Sequence, residues 1–164
     1  MPPSSSSAPV ATDPAVDPPV ARRQRTLDPA VLGVVAVGGV AGSEARYALH
    51  LWSPGGDGGW PWGTWTANVT GCLVLGALMV VLTELTSPHR LLRPFLGVGV
   101  LGGFTTFSAV MVEAPAMLLA GRLGTALGYF AGTAVAALVA VALGASAVRA
   151  VAAGWRRLPR RRSR

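Results

Sequence analysis

Four long apolar segments leave this chain of 164 residues little choice of fold. They cover about residues 30–51, 62–82, 91–119 and 123–148. Each is long enough for a helix that crosses a hydrocarbon core of ~30 Å, which takes ~20 residues. Only 7 residues are acidic, so too few charged side chains remain for the outer faces of a soluble helical bundle. The sequence therefore predicts an all-α membrane protein with four transmembrane helices.

The two ends of the chain differ from this apolar part. Six of the first 20 residues are proline, and serine and alanine fill much of the rest. Such a composition cannot bury a core, so residues 1–28 are predicted to form a disordered tail. Residues 29–152 then form the four-helix transmembrane domain, and residues 153–164 form a basic C-terminal tail.

The basic residues, all arginine, predict the orientation in the membrane. With four spans, both termini and the connection between the second and third spans lie on one side. That side carries twelve arginines, whereas the other side carries only Arg46 and Arg122. The positive-inside rule therefore places both termini in the cytoplasm, in a multi-pass protein of the cell membrane. The high pI of about 11.4 does not indicate nucleic acid, because the arginines flank the spans and face lipid head groups.

The third apolar segment is interrupted near its centre. Gly102 and Gly103 are followed by the hydroxyl side chains of Thr105, Thr106 and Ser108. A lipid core offers no water to unpaired backbone groups, so such a stretch is tolerated only where protein buries it or a polar path runs beside it. We therefore expect the third helix to be broken at mid-membrane, at a site for ion passage or binding.

Other polar groups lie within the apolar segments. Asn68 must either bond a neighbouring helix or line a path, and its sequence position does not decide between the two. The ring edge of Phe107 carries partial positive charge and can face an anion. Tyr129 and Thr133 lie four residues apart, on one helix face. Arg46 can guide an anion into a vestibule or reach the head groups. These groups are mostly donors, which favours an anion, and no nucleophile–base pair indicates an enzyme.

Small residues recur every four positions in the fourth segment, a pattern that lets membrane helices approach closely. They are Gly124, Gly128, Gly132, Ala136, Ala140 and Gly144. Gly38 and Gly42 in the first segment, and Gly99 and Gly103 in the third, repeat the spacing. Packing within the chain and contact with a second subunit both remain open.

Three motifs carry a resemblance to a known family. They are Gly38 to Tyr47 (GGVAGSEARY), Gly63 to Gly71 (GTWTANVTG) and Gly102 to Ser108 (GGFTTFS). With these motifs in this order, the chain resembles the CrcB/Fluc fluoride channels over about residues 30–148. The resemblance implies a passive, fluoride-selective channel made of two antiparallel subunits with two narrow pores.

The resemblance also implies roles for individual residues. The positions that match the fluoride pore are Asn68, Thr106, Phe107, Ser108, Tyr129 and Thr133. The backbone carbonyls of Gly102 and Thr105, taken from both subunits, are implied to hold a structural Na⁺ ion at the dimer interface. Arg46 matches an arginine of the first-helix motif, here assigned to the vestibule.

One departure from the family pattern affects the partner. The family usually continues Phe-Ser-Thr-Phe, whereas this chain reads Phe107, Ser108, Ala109, Val110. Val110 has no ring to offer the pore and Ala109 has no hydroxyl. The strong arginine asymmetry also opposes insertion of the same chain in both orientations. We therefore hypothesise a heterodimer with a homologous chain of opposite topology.

Two alternatives remain open from the sequence. The chain can be a non-conducting structural subunit that supports a conducting partner. It can also be a proton-coupled transporter of the small multidrug resistance type, which would use Glu44 as its first-helix carboxylate. The tryptophans cluster near a predicted membrane interface rather than around that carboxylate, which does not suit a drug pocket.

Overall fold

The computed structural model describes residues 28–52 and 59–157, and within these ranges the chain is helical without any β-strand. Helix α1 covers Pro29–Trp52. Helix α2 covers Trp62–Val80 and continues as the π-helical turn Val81–Leu85. The broken span, Pro94–Leu119, consists of a π-helical part, Pro94–Leu101, one α-helical turn, Gly102–Phe104, and helix α3, Ser108–Leu119. Helix α4 covers Leu123–Arg157. The predicted N-terminal tail, residues 1–28, lies outside the described residues except for Asp28, whereas residues 153–157 of the predicted C-terminal tail belong to α4.

Three helical stretches are long and apolar enough to cross a membrane: Trp62–Leu85, Pro94–Leu119 and Leu123–Trp155. The prediction of an all-helical membrane protein is therefore confirmed. Helix α1 has 24 residues, but Glu44, Arg46 and His50 make its second half more polar. The fourth span thus remains a prediction from the sequence.

Helix α1 packs against the first half of the broken span through facing glycines. A Cβ atom on Gly38 would lie 2.6 Å from the carbonyl oxygen of Phe95 and 3.0 Å from the Cα of Gly99. A Cβ on Gly42 would lie 2.8 Å from the backbone nitrogen of Phe104. Backbones this close leave no room for side chains, so these small residues serve contacts within the chain.

Helix α4 packs against α2 in the same way, through glycines in the C-terminal halves of the two helices. Gly144 lies against the backbone of Leu73, and Gly76 lies against the backbone of Val141. A Cβ on Gly124 or Gly128, near the other end of α4, would meet no atom of the chain within 4 Å. The small-residue pattern is therefore used within the chain over only part of its length.

Short connections place the helix ends. Gly121 adopts a φ of 73°, and this left-handed conformation ends the segment after α3 and turns the chain into α4. Toward the other end of α4, Arg149 donates to Glu84, with Nη2 2.6 Å from Oε1. Arg90 pairs with Asp28, with Nη1 3.0 Å from Oδ2. Both pairs lie at the surface, where water and ions screen the charges, so neither contributes much to stability.

The α1 contact yields a stability prediction. Gly42→Val should lower the free energy of unfolding by about 1–3 kcal/mol, because the new side chain would overlap the backbone near Phe104. Thermal unfolding of the purified protein in detergent measures this change. Gly33→Val in the same helix is the control, since a Cβ there meets nothing within 4 Å. Equal melting temperatures for the two variants would contradict the packing described here.

Candidate functional site

The helix break is held by one side chain from another helix. Thr105 has φ −81° and ψ 153°, so the chain leaves the helix at this residue. The next residue's backbone N–H donates to Oδ1 of Asn68 at 2.7 Å, and Nδ2 of Asn68 donates to the Thr106 carbonyl at 2.9 Å. Asn68 is only 7% exposed. Its amide thus replaces the helical hydrogen bonds that the break removes from Thr106.

The same hydrogen bonds affect the two carbonyls implied as sodium ligands. In an unbroken helix the Gly102 carbonyl would accept from the Thr106 N–H, which instead donates to Asn68. The Thr105 carbonyl would accept from the Ala109 N–H, which instead donates to Oγ1 of Thr106 at 3.2 Å. The usual donors of both oxygens are therefore engaged elsewhere. Carbonyl oxygens in this condition suit a hard cation such as Na⁺, so the residues fit the expected ion.

Arg46 also reaches the break. Its Nε donates to the carbonyl of Gly103 at 3.2 Å across the contact between α1 and the broken span. The guanidinium therefore lies at the C-terminal end of the short helical turn, where a cation is favourable. The sequence indicated a vestibule or a head-group role and did not indicate this contact.

Beside the break lies a groove of about 250 Å³ between α2, α3 and α4. It contains five of the residues singled out from the sequence, together with five others. Its lining residues are Asn68, Cys72, Thr105, Thr106, Phe107, Val110, Phe130, Thr133, Ala134 and Ala137. Ser108 adjoins this groove, because its hydroxyl oxygen lies 3.1 Å from that of Thr106. The structure thus brings together most of the predicted pore positions.

Two aromatic rings lie at this groove. Phe107 is 67% exposed, and its ring centroid lies 6.4 Å from that of Phe130, with the planes inclined by 57°. Phe130 was not predicted as a site residue. No pattern in the sequence marks it, because its place at the groove follows from the packing of α4 on α3.

Tyr129 lies outside the groove in a second polar cluster that sequence reasoning missed. Its hydroxyl donates to Oε2 of Glu113 at 2.5 Å, and the Thr64 hydroxyl donates to Oε1 at 2.6 Å. Tyr129 is fully buried and Thr64 is 5% exposed. Both carboxylate oxygens are therefore satisfied, as a carboxylate inside a membrane requires. The sequence contains a signal for this cluster: Thr64 lies four residues before Asn68, just as Tyr129 lies four residues before Thr133.

These spacings join the groove and the cluster into one row, which we call the polar row: Thr64, Asn68, Glu113, Tyr129 and Thr133. Residues four apart lie one above the other on a helix, so Thr64 and Tyr129 form one level and Asn68 and Thr133 the next. We call the level nearer the N-terminal ends of α2 and α4 the outer level and the other the inner level. The Thr133 hydroxyl donates to the Tyr129 carbonyl at 2.6 Å. Its hydrogen is therefore used, and its oxygen can only accept a further hydrogen bond.

Comparison with known proteins gives a family and several relatives for this chain. Residues 33–145 match the family described as "CrcB-like protein, Camphor Resistance (CrcB)". The chain is 54% identical over 127 residues to "Fluoride-specific ion channel FluC 1" of Streptomyces coelicolor, which covers 77% of this chain and 82% of that protein. It is 51% identical over 123 residues to "Fluoride-specific ion channel FluC 2" of Nocardia farcinica, covering 75% and 88%. Against "Fluoride-specific ion channel FluC" of Paracoccus denitrificans it is 43% identical over 110 residues, covering 67% and 87%.

The Asn68 contact yields a second prediction. Asn68→Leu keeps a similar volume but leaves the N–H and carbonyl of Thr106 without partners, so unfolding should become easier by about 2–5 kcal/mol. Thermal unfolding in detergent measures the loss. Thr70→Val is the matched control, because this exposed hydroxyl of α2 bonds only carbonyls of its own helix. An Asn68→Leu protein as stable as the control would show that the amide does not hold the break.

Proposed function

Because this chain belongs to the CrcB-like family, we propose that it is a subunit of a fluoride-selective ion channel. Such a channel lets fluoride leave the cytoplasm passively and lowers its toxicity; it is not an enzyme. The observation that carries the proposal is the groove at the helix break. There the rings of Phe107 and Phe130 meet the polar groups of Asn68, Thr106 and Thr133 within membrane-spanning helices.

The chemistry of this groove suits fluoride. Fluoride is small and tightly hydrated, so a pore must replace water by closely placed donors and reject chloride by size. Between the hydroxyls of Thr106 and Ser108 only one hydrogen is used, which leaves the other available to an anion. The partially positive edges of Phe107 and Phe130 offer further contacts. Among the described residues, no carboxylate lines the groove itself.

A second subunit is needed to complete the path. The backbone over residues 105–107 is not helical, and such backbone persists at membrane depth only where protein or a water-filled path covers it. The ring of Phe107 is 67% exposed in this chain. We infer that four spans pack with a second, antiparallel subunit that covers this face and closes the pore.

We assign the structural Na⁺ ion to the same contact between subunits. The carbonyls of Gly102 and Thr105, from both subunits, would hold it, because their helical donors are engaged by Asn68 and Thr106. When bound, the ion would neutralise the partial negative charge that these carbonyls bring together. The residues of this chain hold the break open for it through the Asn68 amide.

The choice of partner follows from charge and from Val110. Twelve arginines near one membrane face support a single orientation, with both termini in the cytoplasm. Val110 is 2% exposed and packs with Ala114, Met117 and Tyr129 in the core of the chain. At the position where the family usually has a second phenylalanine, this subunit therefore presents no ring. We propose a homologous partner of opposite topology that supplies one.

The transporter alternative is not favoured. Glu44 is exposed on α1 and does not line the groove. The relatives are named fluoride-specific channels, with identities of 54% and 51%. A carboxylate placed away from the polar groups cannot couple a proton to a substrate held among them.

Fluoride efflux from liposomes tests the proposed function. We expect efflux when this chain is reconstituted with a homologue of opposite topology, and no efflux from this chain alone. Efflux from this chain alone would contradict the heterodimer but support the channel. Absence of fluoride flux under both conditions would contradict the conducting role and favour a supporting subunit.

Substitution of Phe107 tests, in the same fluoride efflux assay, whether the groove is part of the pore. Phe107→Leu keeps an apolar side chain but removes the ring edge, so fluoride flux should fall by about tenfold or more. Phe95→Leu is the control, since Phe95 belongs to the first half of the broken span and does not line the groove. Equal flux from both variants would remove Phe107 from the pore.

Cys72 gives an independent probe of the same groove, because it is the single cysteine of the chain and it lines the groove beside Asn68. Ag⁺ ions, added in buffer free of chloride, should bind its thiol and block fluoride efflux. A channel with Cys72→Ser should conduct and resist Ag⁺ when the partner chain contains no cysteine. A native channel insensitive to Ag⁺ would place the fluoride path elsewhere.

A further inference from the structure

Trp60 lies at the outer end of the polar row. It lies two residues before Trp62, where α2 begins. Its ring meets that of Tyr129 edge to face, with centroids 5.4 Å apart and planes at 86°. The far corner of the indole, Cη2, lies 3.6 Å from where a Cβ on Gly132 would be. A Cβ at Gly132 would thus be in ordinary van der Waals contact with the indole, which places Trp60 over α4 beside Tyr129.

The indole nitrogen of Trp60 has an unusual environment. Among the buried side-chain nitrogen and oxygen atoms of the described residues, Nε1 of Trp60 is the one that lacks a hydrogen-bond partner. Buried tryptophans usually find an acceptor for this N–H, since leaving it unpaired costs free energy. An indole nitrogen can only donate, so its missing partner must be an acceptor.

The position of this donor relates it to the ion path. Tyr129 links Trp60 to the polar row, because its ring contacts the Trp60 indole and its hydroxyl donates to Glu113. Both neighbouring hydroxyls, those of Thr64 and Tyr129, already donate to Glu113. The Trp60 N–H is therefore a donor at the outer level whose hydrogen no group in the described part of the chain accepts.

We propose that Trp60 is a further fluoride-binding residue, which donates its indole N–H to the ion at the outer end of the path and seals that end with its ring. This inference rests on the proposed channel function. Fluoride is the strongest hydrogen-bond acceptor among the halides, so a buried N–H that lacks an acceptor is well suited to receive it. The neighbouring Trp62 is 55% exposed and has no such position.

The indole N–H can be observed directly. The chain has five tryptophans, and each gives one indole N–H signal in a ¹⁵N-resolved NMR spectrum. The sample is the full-length protein in detergent, as the monomer or oligomer that it forms there. The signal that disappears in Trp60→Phe identifies Trp60. Addition of fluoride should shift this signal downfield by more than any other indole signal, and chloride at equal ionic strength should not. A Trp60 signal that fluoride leaves unchanged would overturn the proposal.

Flux measurements provide the second test. In the conducting assembly, Trp60→Phe keeps the ring and removes the N–H, so fluoride flux should fall by about tenfold, as expected for the loss of one hydrogen bond to a charged group. Trp62→Phe should conduct like the native protein. A fall in melting temperature with unchanged flux would overturn the proposal and assign the N–H to an acceptor outside the described residues.

The two tests separate this inference from the proposed function. A fluoride-dependent shift of the Trp60 signal without conduction would support the binding site and contradict the channel. Conduction by the native protein, with neither a shift nor a loss of flux in Trp60→Phe, would support the channel and overturn the site.

Discussion

The structure depends on one exchange of hydrogen bonds at the middle of the broken span. When the chain leaves the helix at Thr105, the peptide groups of Thr106 lose their helical partners, and lipid cannot replace them. The Asn68 amide supplies both a donor and an acceptor from α2. Because this amide holds the break in place, the carbonyls of Gly102 and Thr105 and the ring of Phe107 keep fixed positions beside it. Without that pairing, an unbroken helix would be the more favourable state.

The exchange requires helices that approach closely, and glycine makes this possible. Gly38 and Gly42 bring α1 against the first half of the broken span, close enough for Arg46 to reach the Gly103 carbonyl. Gly144 brings α4 against α2. The groove lies between α2 and α4, beside the break and α3. In lipid, where apolar surface gives little drive for association, such backbone contact is the main source of helix packing.

The polar row carries a second constraint, which concerns donors. Thr64 and Tyr129 both donate to Glu113, and Thr133 donates to a carbonyl of its own helix. An anion on the proposed path would therefore compete with protein acceptors for these hydroxyls. This arrangement allows each donor to be satisfied when the ion is absent. The indole nitrogen of Trp60 is the exception, because it is buried and has no acceptor in the described part of the chain. An unpaired buried donor costs free energy, so a ligand that accepts from it is a reason for its presence.

The sequence by itself determined the class of fold, the position of the break and half of the residues that line the groove. Long apolar segments can satisfy their backbones in lipid only as helices, and paired glycines followed by hydroxyls are tolerated there only at a functional site. Only the tertiary structure decided that Asn68 bonds the Thr106 peptide, that Arg46 reaches Gly103, and that Thr64 and Tyr129 share Glu113. These contacts join residues 16 to 57 positions apart. No local pattern specifies such pairs, because they follow from how the helices pack.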